Sequence, residues 1–408
     1  MDPENGDVYW PAVFSAIVVG MATTTARTEL TRATCSGAET DAGPGYFPAV
    51  ARSRDALAHL GPNWFAVVMG TGIVATATVS LPRAVSGLRD FALIVWALAA
   101  GLLVLLVVAT AAHWIWHPAT ARTHASNPVM SHFYGAPPMA LLTVGAGALL
   151  VGKDLIGISA AVDVDWVLWS AGTITGLACA VTIPFLAFTR HRYCPDAAFG
   201  GWLMPVVPPM VSATAGTLLV PYTAAGQARE TLLAACYAMF GLSLFASLII
   251  ITLIWGRLVQ HQVGTAAAVP TLWIVLGPLG QSITAANLMG ACARLTLPAP
   301  YAGVAAGLGL FYGLVTFGFA ALWLVVATAV TVRAARQRLP FSLTWWSFTF
   351  PVGTLVTGTS ALAKVTGLDV MAWTAVGLYI VLLVAWITVF TRTTHGALNG
   401  QLLRPPVA

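Results

Sequence analysis

Residues 345–364 read WWSFTFPVGTLVTGTSALAK. The stretch is apolar and aromatic, yet Pro351 and Gly353 interrupt it near its middle. Similar interruptions recur along the chain. Gly70-Thr71-Gly72, Pro137-Pro138, Pro208-Pro209 and Gly277-Pro278 each fall inside an apolar segment. Aligning Gly70, Pro138, Pro209, Pro278 and Pro351 gives spacings of 68, 71, 69 and 73 residues. The chain is therefore read as a fivefold repeat, each unit a helical hairpin.

Composition says where such hairpins live. Of 408 residues, 58% are hydrophobic and only 8% charged. Soluble domains carry about 25% charged residues. A bilayer absorbs the excess apolar surface, and at about 20 residues per span there is room for roughly ten spans. The expected spans are 62–81, 90–113, 132–151, 166–189, 201–220, 231–255, 270–291, 302–330, 343–364 and 371–391. The fold class is an all-α polytopic membrane protein. Ten transmembrane helices form five hairpins around a central pore, with the odd-numbered helices inner and kinked.

Residues 1–60 are read as a poorly ordered cytoplasmic extension. They hold seven of the fourteen acidic residues, and their apolar stretch, about 8–22, is interrupted by Pro11. Residues 61–395 form the transmembrane domain and 396–408 a short cytoplasmic tail. The net charge of +5 does not mark a nucleic-acid surface, because the basic residues stand singly at span ends. One set of loops holds eleven of them: Arg52, Arg54, Arg122, Arg190, Arg192, Arg257, Arg333, Arg336, Arg338, Arg392 and Arg404. The opposite set holds six: Arg83, Arg89, Lys153, Arg229, Arg294 and Lys364. Asp90, Asp154, Asp163, Asp165, Glu230 and Asp369 share that poorer side. Both termini are therefore expected in the cytoplasm. Trp64, Trp114, Trp116, Trp166, Trp169, Trp202, Trp345, Trp346 and Trp373 cluster at span ends as an interfacial belt would.

Interrupted helices have two readings. Glycine and proline can simply let helices approach closely. Alternatively, the breaks face a water-filled path, where freed backbone groups are tolerated. The spans show no mid-membrane Asp, Glu, Lys or Arg. The odd spans offer Thr71, Thr76, Thr143, Ser212, Thr214, Gln281, Ser282, Thr284, Asn287, Thr354 and Thr357 instead. A cation path is expected to show a carboxylate, whereas weak donors and positive helix ends suit an anion. In the ninth span Phe350, Thr354, Thr357, Ala361 and Lys364 share one helical face. Phe348 points to the apolar side. Phe350 is thus either a plug beside the break or ordinary packing at a proline.

His113 and His117 have the i, i+4 spacing of a metal pair, but no ligand nearby completes a site. His124 and His132 lie close in sequence, and all four are read as interfacial. The cysteines, Cys35, Cys179, Cys194, Cys236 and Cys292, are odd in number and widely spaced. No disulfide framework, metal or cofactor is expected. The chain lacks G-x-S-x-G, P-loop and H-E-x-x-H motifs, and an enzyme is not expected.

PNWFAVVMGTGIVA at 62–75, PVVPPM at 205–210 and WWSFTFP at 345–351 resemble the tellurite-resistance/dicarboxylate transporter family. That family also contains fungal malate permeases, sulfite exporters and plant slow anion channels. The resemblance covers about 60–395. It implies five hairpins around a pore, a homotrimer with one pore per subunit, and a ninth-helix phenylalanine that occludes the pore. Phe350 is the matching position. The pore-lining candidates are Gly70, Thr71, Gly72, Pro138, Thr143, Pro209, Ser212, Gly277, Pro278, Thr284, Pro351, Thr354 and Thr357. The expected function is transport of small anions across the plasma membrane: inorganic anions, sulfite or tellurite, or C4-dicarboxylates. A proton-coupled C4-dicarboxylate carrier is the alternative, and a membrane-embedded enzyme a third possibility.

Overall fold

The computed structural model describes residues 57–83 and 85–403. Most of the expected extension, including the 8–22 stretch, Cys35, Arg52 and Arg54, lies outside the described residues, as does Arg404. Among the described residues every regular element is helical. Ten helices carry the fold: α1 Phe65–Ser80, α2 Leu88–Trp116, α3 Ala136–Gly147, α4 Ile158–Thr189, α5 Pro208–Leu219, α6 Gln227–His261, α7 Leu276–Cys292, α8 Tyr301–Arg336, α9 Phe350–Thr366 and α10 Asp369–Leu398. Counting their helical flanks, eight are long and apolar enough to cross a membrane. The exceptions are α5, with 12 residues, and α9, with 17.

Odd and even helices differ sharply in burial. The spans built on α1, α3 and α7 are 78%, 61% and 83% buried. Those of the even helices range from 17% to 33%. The even helices also carry most of the exposed large apolar side chains, such as Phe188, Phe245, Val315 and Val384. Such a face is stable against lipid, where no hydrophobic force drives it inward.

The odd helices close a ring. Each packs on the next, α1 on α3, α3 on α5, α5 on α7, α7 on α9, and α9 returns to α1. Each even helix packs on its hairpin partner and on the following inner helix, α10 reaching α1. Buried or half-buried tryptophans of the outer helices donate across this seam. Trp96 Nε1 bonds the Val144 carbonyl at 3.1 Å, Trp169 that of Ser212 at 2.9 Å, Trp323 that of Leu272 at 2.9 Å, and Trp386 the Thr71 hydroxyl at 3.2 Å. The expected belt is thus only partly realised: Trp114, Trp116 and Trp373 are exposed, but Trp64 and Trp346 are buried.

The breaks take a form that spacing does not reveal. Each inner helix is preceded by a short 3-10 segment: Pro62–Trp64, Met130–Gly135, Gly200–Leu203, Ala266–Val275 and Leu343–Phe348. Pro137, Pro138, Pro208, Pro209, Pro278 and Pro351 lie in the first turn of the α-helix that follows. There a missing N–H leaves no helical bond unmade. Gly70 and Gly72 break nothing and lie inside continuous α1, because glycine keeps its donor. They serve close approach: a Cβ on Gly72 would lie 2.8 Å from Thr143 Cγ2, and one on Gly70 would overlap Trp346 and Thr349. The even helices are not all plain either, since α4 contains Pro184.

One charge is not where expected. The α4 helix starts at Ile158, so Asp163 and Asp165 belong to its first turns and not to a loop. At 100° per residue the two point to opposite sides. Asp163 is exposed, whereas Asp165 is fully buried against Gly145 with neither carboxyl oxygen hydrogen-bonded.

Candidate functional site

Among the described residues, a smaller and a larger cavity lie inside the ring. The smaller, about 30 Å³, is walled by the lead-ins and the first turns of the inner helices, including Met69, Met139, Val207, Pro278 and Pro351. It has room for one or two waters. The larger, about 350 Å³, is walled by the later turns of all five inner helices. Phe350 is the one residue in both linings. It is 3% exposed. Its ring therefore stands between a tight compartment at the N-terminal ends of the inner helices and a roomy one toward their C-terminal ends.

The α9 sequence explains the placement. Phe350, Thr357, Ala361 and Lys364 all wall the large cavity, as their shared face requires. Phe348, on the other side, is clamped edge-to-face by Trp273 at 5.3 Å and Trp345 at 5.7 Å. Thr354 leaves the expected face. Its hydroxyl donates to the Pro351 carbonyl at 2.7 Å and lies 3.3 Å from the Leu276 and Gly277 carbonyls of α7.

The other candidates divide similarly. Thr143 and Thr284 wall the large cavity, and Gly277, Pro278 and Pro351 the small one. Gly70, Thr71, Gly72, Pro138, Pro209 and Ser212 lie in neither lining. Thr71 is taken up by Trp386, and Pro138 packs against Gly172 and Gly176 of α4. Additional polar groups in the large cavity are Thr76, Ser80, Thr214, Gln281, Asn287 and Lys364. Among the described residues Lys364 is the only charged one there, near the exposed end of α9. The Thr284 and Thr357 hydroxyls meet at 2.8 Å and tie α7 to α9. The positive helix ends are less available than the breaks suggested. The Gly353 amide donates to Thr349 at 2.9 Å and the Val211 amide to Val207 at 3.3 Å, so the lead-ins already satisfy part of each first turn.

Among the described residues no cluster of three or more His, Cys, Asp or Glu is placed to hold a metal. His113 instead stacks on His124, ring centroids 5.5 Å apart, and its Nδ1 donates to the Leu57 carbonyl at 2.7 Å. His132 stacks on Trp202 at 6.1 Å.

A ring of buried helices enclosing largely apolar cavities with a few polar side chains, jacketed by helices with exposed apolar faces, defines a multi-pass membrane transport protein. The chain belongs to the voltage-dependent anion channel (SLAC1) family, whose model matches residues 59–394. It is 27% identical to a sulfite efflux pump of Arthroderma otae, over 87% of this chain and 96% of that one. An uncharacterized transporter of Methanocaldococcus jannaschii is 26% identical, over 86% and 97% respectively. A malic acid transport protein of Schizosaccharomyces pombe is 22% identical, over 86% and 81%. The family and these relatives are channels or transporters, and the chain is an anion transporter of that family.

Proposed function

We propose that small anions cross through the centre of the five-helix ring and that the Phe350 ring closes the path. The observation that carries this reading is the position of Phe350, shared by the two cavity linings. An apolar constriction blocks ions by expelling water as well as by size. Lys364, the only charge that the described residues bring to the large cavity's lining, gives that compartment an anion-attracting sign. The named relatives move sulfite and malic acid, so oxyanions and carboxylates are the substrates to test first. The malic acid relative supports the dicarboxylate part of the second reading, a proton-coupled dicarboxylate carrier. In the first reading residues 61–395 form the transport domain and both termini are cytoplasmic, as the Arg-rich loops suggest. The plasma-membrane site and the homotrimer rest on the family resemblance.

The test is anion flux into liposomes for wild type, Phe350→Ala and Phe348→Ala. Phe350→Ala should raise flux steeply, and Phe348→Ala should change it little. Losing a packed phenylalanine can cost about 3–5 kcal/mol, so the folded fraction is measured alongside. Equal flux in wild type and intact Phe350→Ala would remove Phe350 from the gate. Cation flux matching anion flux would remove the anion path.

A further inference from the structure

The large cavity contains a repeat-related set of side chains. Counted from the anchors Gly70, Pro138, Pro209, Pro278 and Pro351, the residues Thr76, Thr143, Thr214, Thr284 and Thr357 stand six, five, five, six and six positions on. All five wall the cavity, one from each inner helix. Phe350 precedes Thr357 by seven residues, so Thr357 lies about 10 Å along α9 beyond the constriction. Gln281 stands three residues after Pro278. It also walls the cavity, is 6% exposed, and its side-chain amide makes no hydrogen bond to the described residues. A buried amide in such a position retains two unused N–H donors.

The threonines are held differently. Thr76, Thr143 and Thr214 each donate to a carbonyl three or four residues back, at 3.2, 2.7 and 3.1 Å. Of the pair Thr284 and Thr357, one donates to the other across 2.8 Å and the other to its own helix, where the Gly280 and Thr354 carbonyls lie at 3.1 and 3.0 Å. Those carbonyls are also acceptors for the helical ladder. A hydroxyl can therefore swing toward the cavity without leaving an orphaned acceptor. The set offers donors without any fixed charge.

We infer that Gln281 and this threonine ring form an anion-binding station just beyond the Phe350 constriction. The station suits singly charged anions. The desolvation penalty of an ion grows with the square of its charge, and neutral donors offset the penalty of a monoanion far better than that of a dianion. Lys364 lies seven residues further along α9, about 10 Å toward the open end, where it concentrates anions without binding them at the station. This inference rests on the anion path proposed above.

The experiment uses the full chain in liposomes, with nitrate and chloride as monoanions and malate at pH 7.5 as dianion. Initial flux is measured against anion concentration. Gln281→Leu keeps the volume and removes the donors. It should raise KM for nitrate roughly tenfold or more, the worth of a hydrogen bond to a charged group. Thr284→Val with Thr357→Val should shift KM in the same direction, and Gln281→Asn should restore part of the affinity. Gln281→Glu should abolish flux. A merely structural role would lower the amount of folded protein and leave KM alone. An unchanged KM in intact Gln281→Leu and in the double valine variant would overturn the station. Malate flux equal to nitrate flux in wild type would overturn its charge class. Failure of wild type and Phe350→Ala to carry any anion would instead sink the underlying path.

Discussion

Asp165 shows how much a single residue's neighbours decide. Its carboxyl is sealed between α4 and Gly145 of α3 with no hydrogen-bond partner. Leaving an unpaired carboxylate in such a place is unfavourable by several kcal/mol. Asp165→Asn keeps the shape and removes the charge, so the purified variant should unfold at the same temperature as wild type or higher. A clearly lower midpoint in a detergent melt would show that the carboxylate has a partner. The sequence pattern VDVDW places Asp163 and Asp165 two apart but does not say which of them turns inward. Phe350 was easier to read. Its helical face, shared with Thr357, Ala361 and Lys364, followed from spacing, and the cavity lining uses the same side. Thr354 departs from that face because the α7 backbone comes within reach of its hydroxyl.

At the scale of elements, glycine sets how closely the inner helices approach. A Cβ on Gly280 of α7 would lie 2.5 Å from the backbone of Thr354 and Leu355 in α9. Backbone cannot step aside, so Gly280→Ala should destabilise the protein by about 1–3 kcal/mol. Gly307→Ala on α8 meets nothing within 4 Å and should be neutral or slightly stabilising. Thermal unfolding of the two variants side by side separates packing from helix propensity. A second element-level effect belongs to the short helix Pro118–Ser126 after α2. Burial, with His113 and His59 nearby, holds the His124 imidazole below the ordinary histidine value of 6.5. The unfolded chain then takes up this proton more readily than the folded one. The stability contribution is complete above pH 6.5 and is lost as pH falls toward the folded value. Melting midpoints should therefore drop below pH 6.5, and His124→Gln should flatten part of that drop. Identical pH profiles for the two proteins would exclude His124 as the cause.

At the scale of the molecule, the proposed orientation makes a labelling prediction. Cys194 is exposed in the loop after α4, on the Arg-rich side with Arg190 and Arg192. In intact cells an impermeant thiol reagent should miss Cys194 and react with a cysteine placed at Glu230. The reverse pattern would turn the molecule over. Two ion pairs, Arg83–Asp369 at 2.6 Å and Arg89–Asp154 at 2.5 Å, lie on the Glu230 side. Both are largely exposed and contribute about 0–1 kcal/mol each, so the fold rests on helix packing and not on them.

The membrane class, the hairpin repeat and the alternation of inner and outer helices were legible in the sequence alone. Hydropathy and the 68–73-residue spacing are local or periodic properties, and they survive without coordinates. The threonine ring was latent in that same period, since its members recur five or six residues after each anchor. Closure of α9 onto α1 was not legible, because no local pattern says where the first and last repeats meet. Nor was the 3-10 form of the lead-ins, where neighbours sit tightly: a Cβ on Gly135 would overlap the Met204 carbonyl just after the next lead-in, and one on Gly200 the Thr271 carbonyl within the next. Which polar residue faces the cavity depended on the partners around each helix. Trp386 captures Thr71, α7 draws in Thr354, and the Gln281 side chain is left facing the cavity without a hydrogen bond to the described residues. Only the packed structure decides such competitions, because the competing groups lie tens or hundreds of residues apart in the chain.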